Sequence, residues 1–244
     1  MGQRVPGRSP RARARRGGTR AALRGWPVVF ALIASGFATA AAEAEGVQPR
    51  GATGDSLPVI ERLLDARCSA PRPGGTVVDV AVIHFSSNVV ADPTDPFRVD
   101  QVLALFERHR VSAHYLIARD GQVYRLVDES RRAFHAGRGR FPYAPTRDDR
   151  LNDTSIGIEL LAVGSARDMR PFLGPKAYAR IAARHVGFTT RQYESLRRLL
   201  ADLHARYPAL ILDRKHVIGH EEYAPGRKTD PGELFRWELV GLKP

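Results

Sequence analysis

Cysteine is nearly absent from this chain of 244 residues, because Cys68 is the only one. A single thiol excludes any disulfide within the chain. We expect Cys68 to be an incidental buried residue rather than a nucleophile, since no histidine lies near it in the sequence. The chain also shows no internal repeats, which argues against a repeat architecture.

Acidic residues are missing from the first 42 positions, and Glu43 is the first of them. Eight arginines fall within residues 1–25, so most of the net charge of +12 lies in this leader and the rest of the chain carries about +4. Such a small excess is unremarkable, and a nucleic-acid binder would depend on the leader alone. We therefore expect no nucleic-acid partner.

A long hydrophobic run is also lacking. The apolar stretch of residues 26–34 follows the basic segment and precedes the small residues 38–42. This order is typical of a signal peptide over residues 1–42, although an uncleaved N-terminal anchor remains an alternative. The stretch is too short for a membrane span, so we expect a periplasmic or extracellular protein with no stable span in its mature form.

Residues 43–75 contain glycine, proline and one short apolar piece, Leu57 to Leu64. We interpret this region as a linker with one short helix packed on the domain that follows. Residues 76–244 then form a single domain, which is an ordinary size for one hydrophobic core.

The domain alternates strands and helices. An apolar run predicts a buried strand over residues 77–85, and Asp120-Gly121 between two apolar runs predicts a hairpin. Another strand is predicted over residues 155–161 and a last one over 216–220. The order of elements favours an α/β fold with a central mixed sheet flanked by helices.

Two helices are predicted from their patterns. Apolar side chains at helical spacing follow a loop rich in proline and aspartate, beginning at Val99. A capping box formed by Thr189 and Gln192 opens a second amphipathic helix, which Pro208 ends.

Histidines at predicted strand ends suggest a metal site. His84 closes the first strand, His220 ends the last, and Asp230 follows His220 after a turn rich in proline and glycine. Two imidazoles and one carboxylate suit Zn²⁺, which in catalytic sites keeps a fourth position for water. Taken singly, however, a histidine at a strand end is more often a hydrogen-bonded structural residue.

Five motifs carry a resemblance to a known family, in order and at similar spacings over residues 76–240. They are Val82-Ile83-His84, Ser112 to Ile117, Phe134-His135-Ala136-Gly137, Leu151 to Leu160, and His220 to Gly232. The chain resembles the N-acetylmuramoyl-L-alanine amidases of the zinc amidase and peptidoglycan-recognition superfamily. The leader makes it similar to the secreted members.

The resemblance implies a peptidoglycan-recognition-like fold and one zinc ion per chain, held by His84, His220 and Asp230. It implies that Glu159 is the catalytic glutamate and Lys228 the catalytic lysine. The expected reaction is hydrolysis of the amide between N-acetylmuramic acid and L-alanine in peptidoglycan or muropeptides. From the residues alone, Glu159 could instead be an edge residue facing water and Lys228 a solvated loop charge.

Further positions of the same motifs are candidates for substrate binding: His135, Asn152, Ala224 and Arg227. His135 and Asn152 either line the groove or brace loops, and His114 is expected to be structural or to support the site. A non-catalytic wall-recognition module of the same fold is the competing interpretation. The complete set of ligands argues against it.

Overall fold

The computed structural model describes residues 57–243. The predicted signal peptide and most of the predicted linker lie outside this part of the chain, so those predictions are untested.

A six-stranded mixed sheet forms the centre of the domain, in the order β1-β5-β4-β7-β3-β8. Its strands are β1 (Val59–Glu61), β3 (Val80–Ser86), β4 (Tyr115–Ile117), β5 (Val123–Arg125), β7 (Ser155–Leu161) and β8 (Val217–Gly219). The strands β4, β7, β3 and β8 are mutually parallel, whereas β5 runs antiparallel to β4. A separate antiparallel pair joins β2 (Ser69–Pro71) to β6 (Arg131–Ala133). The predicted mixed sheet and the hairpin around Asp120-Gly121 are confirmed.

Helices cover both faces of the sheet. α1 (Val99–His109) packs Val102 and Phe106 against one face, and α4 (Thr190–Arg206) packs Leu196 and Leu200 against the other. The described residues also form three one-turn α-helices, α2 (Leu151–Thr154), α3 (Pro175–Tyr178) and α5 (His220–Tyr223), and three short 3₁₀ helices at Ala66–Cys68, Ala183–His185 and Trp237–Val240. The α/β fold predicted from the sequence is therefore confirmed.

Local signals set the ends of the long helices. Thr189 caps α4 by accepting a hydrogen bond from the backbone N–H of Gln192, whose side chain returns one from the N–H of Thr189. Arg110 ends α1 in the left-handed conformation, with a φ of 52°. The predicted capping box is thus present.

The prediction of a short helix between Leu57 and Leu64 is wrong. Val59–Glu61 is strand β1, which pairs in parallel with β5 at the edge of the sheet. The main chain of Arg62 and Leu64 then donates to the carbonyls of Arg125 and Leu126. This apolar piece is too short for its sequence to choose between helix and strand, and pairing with β5 decides the outcome.

Within the part of the chain that the structure describes, every helix is too short or too polar to span a bilayer.

Candidate metal centre and active site

The parallel register of β3 and β7 places two functional side chains together. His84 lies opposite Glu159 in this ladder. Because side chains alternate across a strand, both project from the sheet face opposite α4. β8 lies on the other side of β3 and ends at Gly219, so His220 follows at the same carboxyl edge.

Three side chains meet at this edge. Nδ1 of His84 lies 2.7 Å from Oδ2 of Asp230, and Nδ1 of His220 lies 3.0 Å from the same oxygen. One donor atom from each of the three residues falls within 4.8 Å of the others. A backbone hydrogen bond from the N–H of Glu221 to the carbonyl of Asp230, 2.9 Å long, holds the Asp230 loop against α5. The predicted ligands therefore converge, although they come from three separate segments.

Burial and mutual charge shape the ionisation of this cluster. Burial and the neighbouring His220 together lower the pKa of His84 to about 4, although Asp230 acts in the opposite direction. Burial alone would raise the pKa of Asp230, but contacts with His220 and His84 hold it well below its ordinary value. Neutral imidazoles beside a carboxylate are the state that binds a metal ion.

The donor set fits a divalent cation such as zinc. Nε2 of His220 lies 2.8 Å from the carbonyl oxygen of Ala136, which can only accept a hydrogen bond. The single N–H of a neutral His220 is therefore at Nε2, and a lone pair remains at Nδ1, facing Asp230. Two imidazole nitrogens and a carboxylate oxygen at such spacing form a usual three-residue zinc set.

Glu159 stands apart from the donor set. Its Oε2 is buried and has no hydrogen-bond partner among residues 57–243. Burial raises the pKa of Glu159 to about 8, with a further contribution from the charge of Asp230, while Lys228 partly offsets it. An unpaired buried carboxyl group costs stability, so it argues for a role in chemistry rather than in the fold.

A cavity opens over these groups. Its polar lining includes Glu159, Lys228 and Arg227 beside the three converging residues. Its apolar wall is formed by Val89, Val90, Met169 and Phe172. Met169 and Phe172 belong to a loop after β7 that no sequence motif had indicated as functional. Thr229 Oγ1 donates to the carbonyl of Asp168 over 3.0 Å, which ties this loop to the Lys228–Asp230 segment.

His135 and Asn152 lie at the back of the cavity. Nδ1 of His135 is 3.0 Å from Nε2 of His84. Oδ1 of Asn152 accepts from the backbone N–H groups of His135 and Ala136, at 3.2 and 2.9 Å. Both residues line the cavity and make hydrogen bonds within its wall, and their contact with substrate stays a prediction.

The other two candidates differ from each other. Arg227 lines the cavity, and its Nη2 donates to the carbonyl of Ala136 at 2.8 Å. Ala224 is instead 4% exposed and packs with Tyr223, Ile218 and Val80 in a hydrophobic cluster beside the site. Ala224 also lines a neighbouring pocket together with Arg227, so its assignment to substrate contact stays a prediction.

His114 is structural in its contacts. Its Nδ1 accepts from the backbone N–H of Gly157 at 3.0 Å, and its Nε2 lies 3.1 Å from the carbonyl of Arg131. Ser155 and Gly157, which both touch His135, were not singled out in the sequence. A serine and a glycine on the site face of β7 are the signal that could have revealed them.

The chain is similar to known proteins. The family model for N-acetylmuramoyl-L-alanine amidase matches residues 74–233. The chain belongs to the N-acetylmuramoyl-L-alanine amidase family. The predicted resemblance is therefore confirmed, and so is the prediction of an amidase of this kind.

Two curated members of the amidase family illustrate the relationship. N-acetylmuramoyl-L-alanine amidase AmiD of Escherichia coli K12 is 32% identical over 88% of this chain and 66% of its own length. 1,6-Anhydro-N-acetylmuramyl-L-alanine amidase AmpD of Haemophilus influenzae is 32% identical over 68% of this chain and 83% of its own length. The chain thus spans just under two thirds of that AmiD and most of that AmpD.

Solved structures of amidases share the fold. A selenomethionine derivative of AmpD aligns with a TM-score of 0.52 and 29% identity, covering 74% of this chain and 92% of its own. AmiD of E. coli, in complex with the substrate anhydro-N-acetylmuramic acid-L-Ala-D-γ-Glu-L-Lys, aligns with a TM-score of 0.50 and 31% identity. That alignment covers 70% of this chain and 59% of AmiD.

Proposed function

We propose that this protein is a zinc-dependent hydrolase of the amide bond between N-acetylmuramic acid and L-alanine, acting on peptidoglycan or muropeptides outside the cytoplasm. Family membership supports the assignment of the bond that is cut. The observation that carries the mechanism is the buried Oε2 of Glu159, which has no hydrogen-bond partner among residues 57–243, beside the converging His84, His220 and Asp230.

His84, His220 and Asp230 would hold one zinc ion through Nδ1, Nδ1 and Oδ2. When bound, zinc supplies Lewis acidity, which makes water acidic enough to ionise near neutral pH and polarises a carbonyl group. The three residues fix where this acidity is delivered, because β3, β8 and the Asp230 loop place them on one side of the cavity.

Glu159 would move the proton. Its carboxyl group lines the same cavity, and its Oε2 has no hydrogen-bond partner among residues 57–243, so it can accept a proton from the attacking water and pass it to the leaving amine. A pKa of about 8 lies close to neutral pH, where one group can serve as both acid and base.

Lys228 would stabilise the negative charge that develops on the lactyl carbonyl oxygen. It lines the cavity two residues before Asp230, and its charge offsets part of the rise in the pKa of Glu159 and contributes to the lowered pKa of His84. A fixed cation in a site shielded from water stabilises a developing oxyanion more than one in bulk solvent does.

The cavity suits a muramyl peptide. A relative of known structure, AmiD of E. coli, was solved with an anhydro-muramyl tripeptide. Here the lining of the cavity combines the cationic Arg227 with the apolar side chains of Met169 and Phe172. We propose that the carboxylates of the peptide stem contact Arg227 and that the less polar part of the substrate contacts Met169 and Phe172.

A non-catalytic recognition module is the competing function. Such a module would gain nothing from a buried carboxyl group without a partner, whose desolvation costs about 1–3 kcal/mol in proteins. Glu159 therefore favours the enzyme.

The test separates metal binding from chemistry. Glu159→Gln preserves the shape of the side chain but removes its basicity, so zinc content should stay near one per chain while turnover of a purified muropeptide falls by roughly 10² to 10⁴. His84→Ala should lose both zinc and turnover. Glu194→Gln, on the exposed face of α4, is the matched control and should change neither.

Zinc content by atomic emission and product masses by mass spectrometry give the two readouts. Full turnover in Glu159→Gln would assign the proton transfer to another group. Loss of zinc in that variant would make Glu159 a ligand. A wild-type protein that binds zinc but releases no peptide from muropeptides would contradict the enzyme and leave the recognition module.

A further inference from the structure

Ser155 fixes the direction of a chain of hydrogen bonds that ends at His84. Its hydroxyl lies 2.6 Å from the carbonyl oxygen of Leu151, which can only accept, so the hydroxyl proton is used there. The same Oγ lies 3.1 Å from Nε2 of His135. Because Oγ has no second proton to give, Nε2 of His135 must donate to it.

The next link follows from the chemistry of imidazole. A neutral imidazole has one N–H, so His135, protonated at Nε2, presents a lone pair at Nδ1. That lone pair lies 3.0 Å from Nε2 of His84, which must therefore carry the proton and donate. His84 is left with its own lone pair at Nδ1, directed at Oδ2 of Asp230 over 2.7 Å.

A second set of hydrogen bonds fixes the tautomer of His220 through Ala136, the residue that follows His135. The carbonyl of Ala136 accepts from Nε2 of His220 at 2.8 Å, which leaves the lone pair of His220 at Nδ1. Asn152 fixes the peptide unit that carries this carbonyl, because its Oδ1 accepts from the N–H groups of His135 and Ala136. The two consecutive residues His135 and Ala136 therefore set the tautomers of His84 and His220.

The position of the His135 ring is itself restricted. A Cβ atom on Gly157 would lie 2.5 Å from Cγ of His135, so only glycine leaves room for the ring against β7. The backbone of Gly157 cannot retreat easily, since its N–H and its carbonyl both bond to His114, at 3.0 and 2.9 Å.

We propose that His135 and Asn152 are positioning residues that preset the Nδ1 lone pairs of His84 and His220 for the metal ion. This inference rests on the zinc site proposed above. It assigns the two residues a role in metal affinity through the groups they orient, in addition to any contact with substrate. Hydrogen bonds of this kind, made by the nitrogen that does not bind the metal, orient the ring and raise its basicity.

The main test compares zinc affinities by competition with a chromophoric chelator. His135→Phe removes the acceptor at Nδ1 and should weaken zinc binding by about 10- to 100-fold. His135→Asn retains an acceptor oxygen near that position and should recover most of the loss, which a purely steric role would not predict. His204→Phe is the control, since that ring lies on α4, bonds the backbone carbonyl of Leu210 beyond the helix and does not line the cavity, and it should leave the affinity unchanged.

Two variants of Asn152 test the hydrogen bonds that fix the tautomer of His220. Asn152→Ala frees the backbone N–H groups of His135 and Ala136 and should also weaken zinc binding. Asn152→Asp keeps an acceptor oxygen and should weaken it less. Thermal unfolding of each metal-free variant shows whether the fold survives, so that a weaker affinity is not mistaken for a smaller folded fraction.

Nitrogen-15 NMR of the zinc-loaded wild-type protein gives a readout independent of affinity. The proposal requires His135 to be protonated at Nε2 and to accept at Nδ1, with a coupling across the hydrogen bond to Nε2 of His84. Finding the His135 proton at Nδ1 would overturn it, and so would a zinc affinity of His135→Phe equal to that of wild type. A wild-type protein that binds no zinc would instead overturn the proposed function on which it rests.

Discussion

Gly157 offers the sharpest structural test of the site, because one methyl group there meets a ring that has no free space. The Cβ of Gly157→Ala would lie 2.5 Å from Cγ and 2.7 Å from Cδ2 of His135. Ordinary contacts of such atoms begin near 3.4 Å. The ring or the strand must therefore move by roughly 1 Å, a displacement large enough to break a 3.0 Å hydrogen bond to His84.

The cost can be estimated from the surroundings. β7 lies between β4 and β3 and is hydrogen-bonded on both sides, so most of the displacement falls on His135. Overpacking in a close-packed interior costs about 1–3 kcal/mol. For a domain of this size, each kcal/mol lowers the melting temperature by about 2–4 °C, so we expect a decrease of about 2–12 °C.

The assay is thermal unfolding of the metal-free protein followed by zinc titration. Gly174→Ala is the matched control, since a Cβ there has nothing within 4 Å and its φ of −69° suits alanine. That control should shift stability by less than about 1 kcal/mol in either direction. Gly157→Ala should be less stable and bind zinc more weakly. If the two alanine variants unfold and bind zinc alike, the reasoning about His135 is refuted.

Two further predictions concern acid stability and export. Burial alone would raise the pKa of Glu129, but hydrogen bonds from Arg206, Tyr115 and Tyr207 hold it below its ordinary value. The stabilisation from Glu129 should therefore be present above the unfolded-state pKa of about 4.3 and disappear as the pH falls through the lower folded-state value. Urea unfolding from pH 7 to pH 3 should show Glu129→Gln converging on wild type, and a constant gap would contradict this. Separately, the leader predicts an exported chain that begins between residues 41 and 45, and N-terminal sequencing that still finds Met1 would exclude cleavage.

Several features of this protein follow from short stretches of sequence. The capping box of Thr189 and Gln192 and the Asp120-Gly121 turn act through neighbouring atoms, so they were predictable and are present. The convergence of His84 and His220 was also predictable, because parallel strands bring their carboxyl ends to one edge. Motif resemblance supplied the role of Glu159, which spacing alone could not assign.

Other features depend on contacts between distant segments. The pattern of residues from Leu57 to Leu64 is too weak to predict a conformation. Val59–Glu61 forms a strand because it pairs with β5. Ala224 belongs to a motif and is nearly buried beside Tyr223 and Ile218, and this burial depends on how α5 packs.

The orientation of the two imidazoles is the clearest case of a tertiary decision. The sequence identified His84, His135 and His220 as chemical candidates and said nothing about which nitrogen of each carries the proton. That choice depends on a serine hydroxyl from β7 and a carbonyl from the segment after β6, which lie 3.1 and 2.8 Å from the rings they bind. Residue types can be read from the chain, but the partners that fix a tautomer come together only when the sheet forms.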